Sequence, residues 1–165
     1  MKKLLTLLTF AVFMFFGGCA QKQISVEKTQ IPKKIEIIPF ANLTQTPMAG
    51  YRVSSIALGV LKEYGFTVTN TLTDFPERDY SLEEINKILS EIKDGYVFTG
   101  YVNEFKYKAG IDAQPAVSLT IRIYDAKNKK NIYVSTVSEI GSSYDSLGTL
   151  TQRSIKETLD ESVKK

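Results

Sequence analysis

The chain has 165 residues with one cysteine, no histidine and a formal net charge of +3. Zinc, iron and copper are held mainly by histidine and cysteine, and nucleophilic serine or cysteine is usually activated by histidine. This composition argues against such metal sites and against Ser-His or Cys-His catalysis. We therefore expect a protein that is not an enzyme and that holds no metal and no cofactor.

The first eighteen residues are typical of a secretory signal peptide. Two lysines precede an uncharged, mostly apolar run at residues 4–16, which is too short to span a bilayer, since a spanning helix needs roughly 20 residues. Two glycines then precede Cys19, and this arrangement resembles a bacterial lipobox. The resemblance implies that Cys19 receives a diacylglycerol and a further acyl chain such as palmitate, which together give stable membrane anchoring. Ala20 follows the cysteine in place of aspartate, which favours the outer membrane.

Removal of the signal peptide (1–18) leaves a mature chain of nearly equal basic and acidic content, which argues against a nucleic-acid partner. Residues 19–33 are mostly polar and predict a lipidated tether. Residues 34–165 have the size of a single hydrophobic core, so we expect one domain there.

The domain opens with three predicted elements. The segment "KIEIIPF" at 34–40 predicts a strand, and apolar residues at helical spacing beyond Pro47 predict a helix that Gly65 ends. The segment "FTVTN" at 66–70 predicts a second strand. A strand, a helix and a strand of these lengths favour a βαβ unit with parallel strands.

A second helix is predicted to begin at Ser81, where Glu84 completes a capping box. Three extended segments follow, and in the middle one the alternation at 117–124 predicts one buried and one wet face. The loop "DAKNKKN" joins the last two strands as an antiparallel hairpin, and Asp145 or Ser146 caps a third helix. The order β-α-β-α-β-β-β-α predicts an α+β two-layer sandwich, a mixed sheet with three helices.

Two further features have competing interpretations. The segment "GSSYDSLG" precedes a helix, so it forms either an anion cradle or an ordinary turn with a cap. The aromatic side chains serve either the core or an exposed contact with a partner or a membrane, and Tyr101, Tyr124 and Tyr133 are candidates for exposure.

Two stretches resemble the PelC family, the outer-membrane lipoproteins of Pel exopolysaccharide export, which are themselves similar to curli secretion lipoproteins. The residues that carry the resemblance are Ile38, Pro39, Phe40, Asn42, Thr44, Ala49, Gly50 and Gly65, and later Asp112, Pro115, Val117, Leu119, Arg122, Asp125, Gly141, Ser146, Leu147, Gly148 and Gln152. The likeness covers roughly residues 34–160.

This resemblance implies a lipid-anchored homo-oligomeric ring on the periplasmic face of the outer membrane. The resemblance also implies that in biofilm formation the ring guides a secreted polysaccharide to an outer-membrane export barrel, without catalysis. Family members often carry tryptophan at the position of Tyr133, which implies a membrane or partner contact there. The family's acidic passage makes Asp74, Glu77, Asp79 and Asp112 candidates to line a lumen.

One alternative belongs to a different class. Similar small α+β lipoproteins are binding modules that activate a peptidoglycan synthase or assist envelope or curli-type secretion assembly. A ring is a closed set of repeated contacts, whereas such a module works as a single copy. The oligomeric state therefore separates the two hypotheses.

Overall fold

The structure is a computed structural model that describes residues 31–70, 72–108 and 113–163, apart from the side chains of Asn70 and of residues 161–163. The predicted signal peptide and most of the predicted tether lie outside these ranges. In chain order the elements are β1 (Lys34–Ile37), β2 (Ala41–Asn42), α1 (Ala49–Glu63), β3 (Thr67–Asn70), a short 3-10 helix (Leu72–Asp74), α2 (Leu82–Glu91), β4 (Tyr96–Tyr107), β5 (Pro115–Asp125), β6 (Lys130–Ile140) and α3 (Leu147–Val163).

The six strands form one mixed sheet in the order β3-β1-β4-β5-β6, with the two-residue β2 beside β4. β1 runs parallel to both β3 and β4, while β4, β5 and β6 form an antiparallel meander. The predicted α+β class, the three helices and the parallel βαβ unit are therefore confirmed. β2 is an addition, and it continues the line of β1 along β4 after the turn at Pro39.

Helix α1 packs against the sheet at unusually close range. A methyl group on Gly50 would lie 2.1 Å from the carbonyl oxygen of Phe40. The buried Ser54 hydroxyl accepts a hydrogen bond from the Phe40 amide at 2.8 Å and donates to the Gly50 carbonyl at 2.9 Å. Gly65, at φ 74°, takes the left-handed conformation after the helix, which glycine adopts without strain. The predicted helix stop is confirmed.

The main core lies between the sheet and helices α1 and α3. Its side chains come from alternate positions of the strands and from one stripe of each helix. The largest of them that are fully buried are Ile35, Ile37, Phe40, Leu61, Phe98, Leu119, Ile121, Ile123, Leu150 and Ile155.

Helix α2 packs on the opposite face of the sheet and forms a second, smaller core. Neighbouring residues of a strand point to opposite faces, so Ile37 enters the main core while Ile38 packs in the smaller core with Ile85 and Leu89 of α2. The two-layer sandwich thus carries a partial third layer. The expectation that the second face of β5 is wet is wrong in part, because Thr120 there is buried and Arg122 is half-buried above the Tyr101 ring.

The two ends of the sheet differ in what they carry. At the end that we call the tether end, β1 and β4 begin and the β5–β6 hairpin turns. At the opposite end, which we call the loop end, lie the loop 43–48, the segment 72–80 and the turn 141–146.

Candidate functional site

Cys19 and Asp112 lie outside the described residues, so lipidation of Cys19 and a lumen position for Asp112 stay predictions. The chain enters the described structure at Ile31, next to the first residues of β1. Any anchor on Cys19 is therefore connected to the tether end of the sheet.

Tyr133 lies on the inner face of β6, paired in register with Ile123 and only 5% exposed. Its hydroxyl donates a hydrogen bond to the Thr158 carbonyl of α3 at 3.2 Å. Of the two interpretations left open for the aromatic side chains, the core one applies to Tyr133, because strand parity turns this side chain toward α3. Contact of Tyr133 with a membrane or a partner stays a prediction, and it would require the ring to leave the core.

The other aromatic candidates divide between the core and the surface. Tyr101 and Tyr124 are half-buried at the edge of the smaller core, and Phe105 is buried in the main core. Tyr107 and Tyr144 are 52% and 98% exposed at the loop end. Ile140 is exposed as well, but it pairs with Ala116 whereas Tyr107 pairs with Pro115, so the two side chains lie on opposite faces of the sheet. Exposed aromatic side chains such as Tyr107 and Tyr144 fit a protein contact.

An asparagine that follows β1 organises the loop end. The Asn42 amide nitrogen donates to Asp79 Oδ1 at 2.6 Å and to the Thr46 carbonyl at 2.8 Å. Its amide oxygen accepts from the Thr44 amide at 3.0 Å and hydroxyl at 2.8 Å. Asp79 Oδ1 also accepts from the amide of Met48, whose φ of 58° begins α1 in a left-handed conformation. Asn42 and Asp79 therefore join the loop 43–48 to the segment 72–80.

An ion pair between Arg78 and Glu84 also holds the segment 72–80 against the start of α2. Arg78 forms an ion pair with Glu84 at 2.8 Å and stacks on the Tyr80 ring at 4.0 Å. The Arg78 guanidinium and the Ser81 amide both donate to Glu84, and together they lower the pKa of its carboxyl to about 2. The predicted capping box at Ser81 and Glu84 is confirmed.

The structure places three of the four candidate lumen carboxylates in this one segment. Asp74, Glu77 and Asp79 are all exposed, and Asp79 in addition accepts hydrogen bonds from Asn42 and Met48 through Oδ1. The loop end thus presents Asp74 and Glu77 on a segment that a hydrogen-bond network holds in place.

The segment "GSSYDSLG" forms a turn and a cap. Asp145 Oδ2 accepts from the Ser142 amide at 2.8 Å and from its hydroxyl at 3.0 Å, and these bonds lower the pKa of Asp145. Ser146 Oγ accepts from the Thr149 amide at 3.0 Å and caps α3. The loop thus supplies its own carboxylate to the Ser142 donors, and the interpretation as a turn and cap is confirmed.

Within 31–70, 72–108 and 113–163, no three His, Cys, Asp or Glu side chains are grouped so that they could hold a metal ion. Among the helices in those ranges, none combines the length and apolarity that a bilayer crossing requires.

Comparison with known proteins reveals similarity at the level of structure. No protein-family model and no curated protein sequence matches the chain. The PelC dodecamer from Paraburkholderia phytofirmans is 25% identical over 84% of this chain and 92% of that chain, with a TM-score of 0.63. A point variant of that PelC is 26% identical over 81% and 91%, also with a TM-score of 0.63.

A lipoprotein from Neisseria meningitidis shares the fold, with a TM-score of 0.58 and 17% identity over 81% of this chain and 100% of that chain. The comparisons with PelC extend over most of both chains. The resemblance to PelC that the sequence indicated is confirmed, and the chain has the fold of a PelC-like lipoprotein.

Proposed function

We propose that this chain is an outer-membrane lipoprotein, anchored through acyl chains on Cys19 and facing the periplasm, that forms a ring for Pel-type exopolysaccharide export. Its signal peptide covers residues 1–18, its tether residues 19–33, and its single domain residues 34–165. The observation that carries the proposal is the similarity to the PelC dodecamer over more than four-fifths of the chain.

A ring accounts for features of the surface as well. A contact between two different patches of the same chain, repeated by rotation, closes into a ring. Tyr107 and Ile140 are exposed on opposite faces of the sheet and Tyr144 is exposed in the turn 141–146, so the chain offers apolar side chains on more than one side for such contacts to cover. Each subunit would also add one lipid anchor, so the assembly would stay at the membrane far longer than a single copy.

The loop end offers a surface for the exported polymer. Asp74 and Glu77 are exposed on a braced segment, and carboxylates at a passage attract a cationic polymer and repel an anionic one. In the proposed ring they contribute to an acidic passage that guides the polysaccharide toward an outer-membrane barrel.

The mass of the acylated particle tests the proposal. Wild-type protein is extracted from membranes in mild detergent, and its protein mass is measured by light scattering after size exclusion. We expect one large, uniform oligomer. A monomer at all accessible concentrations would contradict the ring and favour the binding-module hypothesis.

A further inference from the structure

Lysines gather at the tether end of the sheet. The six residues are Lys33, Lys34, Lys93, Lys127, Lys129 and Lys130, and we call this surface the basic end. Three carboxylates accompany them, Glu91, Asp94 and Asp125. Close by, at the end of α1, Lys62 is exposed, Glu63 forms an ion pair with Lys156, and Asp160 accepts a hydrogen bond from the Tyr64 hydroxyl. These groups add two positive and two negative charges. The basic end therefore has an excess of positive charge, although the mature chain as a whole is nearly neutral.

The topology brings these lysines together from three separate segments. The register that pairs Glu36 with Val97 places Lys34 beside Gly95, at the spacing of about 4.8 Å between neighbouring strands. On the other side of Gly95, its carbonyl accepts a hydrogen bond from the Ala126 amide of the hairpin at 2.9 Å. The start of β1, the turn before β4 and the β5–β6 hairpin thus form one continuous surface.

Most of this charge is available to a partner. Lys129 Nζ donates to the Ser90 and Ile92 carbonyls at 3.0 and 2.6 Å, so it is used to close α2. Lys34, Lys93, Lys127 and Lys130 are exposed and form no ion pair with a residue that the structure describes.

One of the three carboxylates, Asp125, accepts hydrogen bonds within the β5–β6 hairpin. Asp125 accepts hydrogen bonds from the Asn128 amide at 3.0 Å and from its side-chain nitrogen at 2.7 Å. Asp125 therefore folds the hairpin and forms no ion pair with Lys127 or Lys130; its pKa is lowered mainly by the Asn128 hydrogen bonds and least by the charge of Lys130. Both ammonium groups stay exposed to an external anion.

The proposed anchor on Cys19 indicates which anion lies within reach of the basic end. Twelve peptide units separate Cys19 from Ile31. Such a segment reaches at most about 40 Å even when it is fully extended. The loop end lies about 40 Å from the tether end along the twelve-residue β4. An anchor on Cys19 thus keeps the basic end near the bilayer, whereas the loop end could touch the same bilayer only with the connection stretched along the whole domain.

We propose that the basic end binds anionic phospholipid headgroups and thereby sets the orientation of the domain on the membrane. This inference rests on the proposed lipid anchor, which supplies the proximity. Lysine side chains and an anionic bilayer surface attract each other over about one Debye length, 8–10 Å. The exposed ammonium groups therefore need no shaped binding pocket. The loop end then points away from the bilayer.

Vesicle flotation of the Cys19→Ser protein, which carries no acyl chain, tests the inference. One set of vesicles is phosphatidylcholine alone, and the other is an equimolar mixture with phosphatidylglycerol. We expect binding to the anionic vesicles only, with a loss on addition of salt. Each lysine at such a surface raises partitioning about fivefold, so Lys127→Gln with Lys130→Gln lowers it by a factor on the order of 25.

The matched control is Lys106→Gln with Lys108→Gln, which removes two exposed lysines from the other end of β4. This pair is expected to leave partitioning unchanged within about twofold, since these lysines point away from the bilayer in the proposed orientation. Thermal unfolding of both double variants verifies that each one folds. The inference is overturned if the Cys19→Ser protein ignores anionic vesicles at low salt, or if the two lysine pairs lower binding equally.

Equal binding to neutral vesicles would overturn it in favour of insertion of exposed apolar side chains, which Tyr144→Ser with Ile140→Ser would then reduce. Mass spectrometry of the wild-type amino terminus examines the anchor separately. If wild-type Cys19 is acylated but the Cys19→Ser protein shows no preference for anionic vesicles, only this inference is refuted. If wild-type Cys19 is unmodified, the proposed anchor is refuted.

Discussion

Gly50→Ala tests how closely α1 packs on the turn between β1 and β2. The added methyl group would lie 2.1 Å from a backbone oxygen of Phe40, well inside the 3.4 Å at which ordinary van der Waals contact begins. Since a backbone atom has little freedom to move in a close-packed core, α1 must shift by about 1 Å. That shift also strains the buried hydrogen bond between the Phe40 amide and Ser54.

The magnitude follows from three opposing contributions. Overpacking costs about 1–3 kcal/mol, and the strained hydrogen bond adds about 1 kcal/mol. Replacement of glycine within a helix returns about 1 kcal/mol. We therefore expect Gly50→Ala to lower the free energy of unfolding by about 1–3 kcal/mol, measured by urea denaturation followed by circular dichroism.

Gly59→Ala is the matched control in the same helix. Gly59 is exposed, and a methyl group there would meet no atom within 4 Å. This variant keeps only the helix-forming gain and is expected to be more stable than wild type by up to about 1 kcal/mol. If Gly50→Ala were as stable as Gly59→Ala, the close approach of α1 to Phe40 would be refuted.

Three further predictions concern individual side chains. Tyr133→Phe removes the hydrogen bond to Thr158 and should cost about 0.5–1.5 kcal/mol in urea denaturation; unchanged stability would place the hydroxyl elsewhere. The Glu84 carboxyl has a pKa lowered from 4.5 to about 2, so its contribution to stability is present above pH 4.5 and is lost as the pH falls toward 2. Glu84→Gln should flatten the stability profile across that window, and an identical profile would contradict the assigned pairing. Cys19→Ser should move the folded protein from the membrane fraction to the soluble fraction, whereas unchanged sedimentation would count against the anchor.

Local interactions were the part of this fold that the sequence predicted well. The capping box at Ser81 and Glu84 connects residues three apart, so residue types and spacing determine it without knowledge of the rest of the fold. The parallel arrangement of β1 and β3 follows in the same way, because a crossover helix between two strands returns the chain in the same direction.

Features that depend on long-range packing could not be predicted in this way. The apolar stripe of α2 shows which side of the helix is buried, but it does not show which face of the sheet receives it. The contact between Asn42 and Asp79 joins residues 37 apart, and only the folded chain brings them together. The choice between an exposed and a buried Tyr133 stayed open because the face of an isolated aromatic on a strand depends on register, and the β5–β6 pairing shifts next to its partner Ile123.

The place of β1 in the sheet has a mechanical consequence for a chain held by its amino terminus. β1 is hydrogen-bonded to β3 on one side and to β4 on the other, and it runs parallel to both. Traction on the preceding residues is directed along this strand, so it shears the flanking hydrogen bonds together. A pull directed across the strands would instead break such bonds one at a time. An anchor at the amino terminus therefore holds the domain through an interior strand of the sheet. Any force on the domain would load the hydrogen bonds from β1 to β3 and to β4 at the same time.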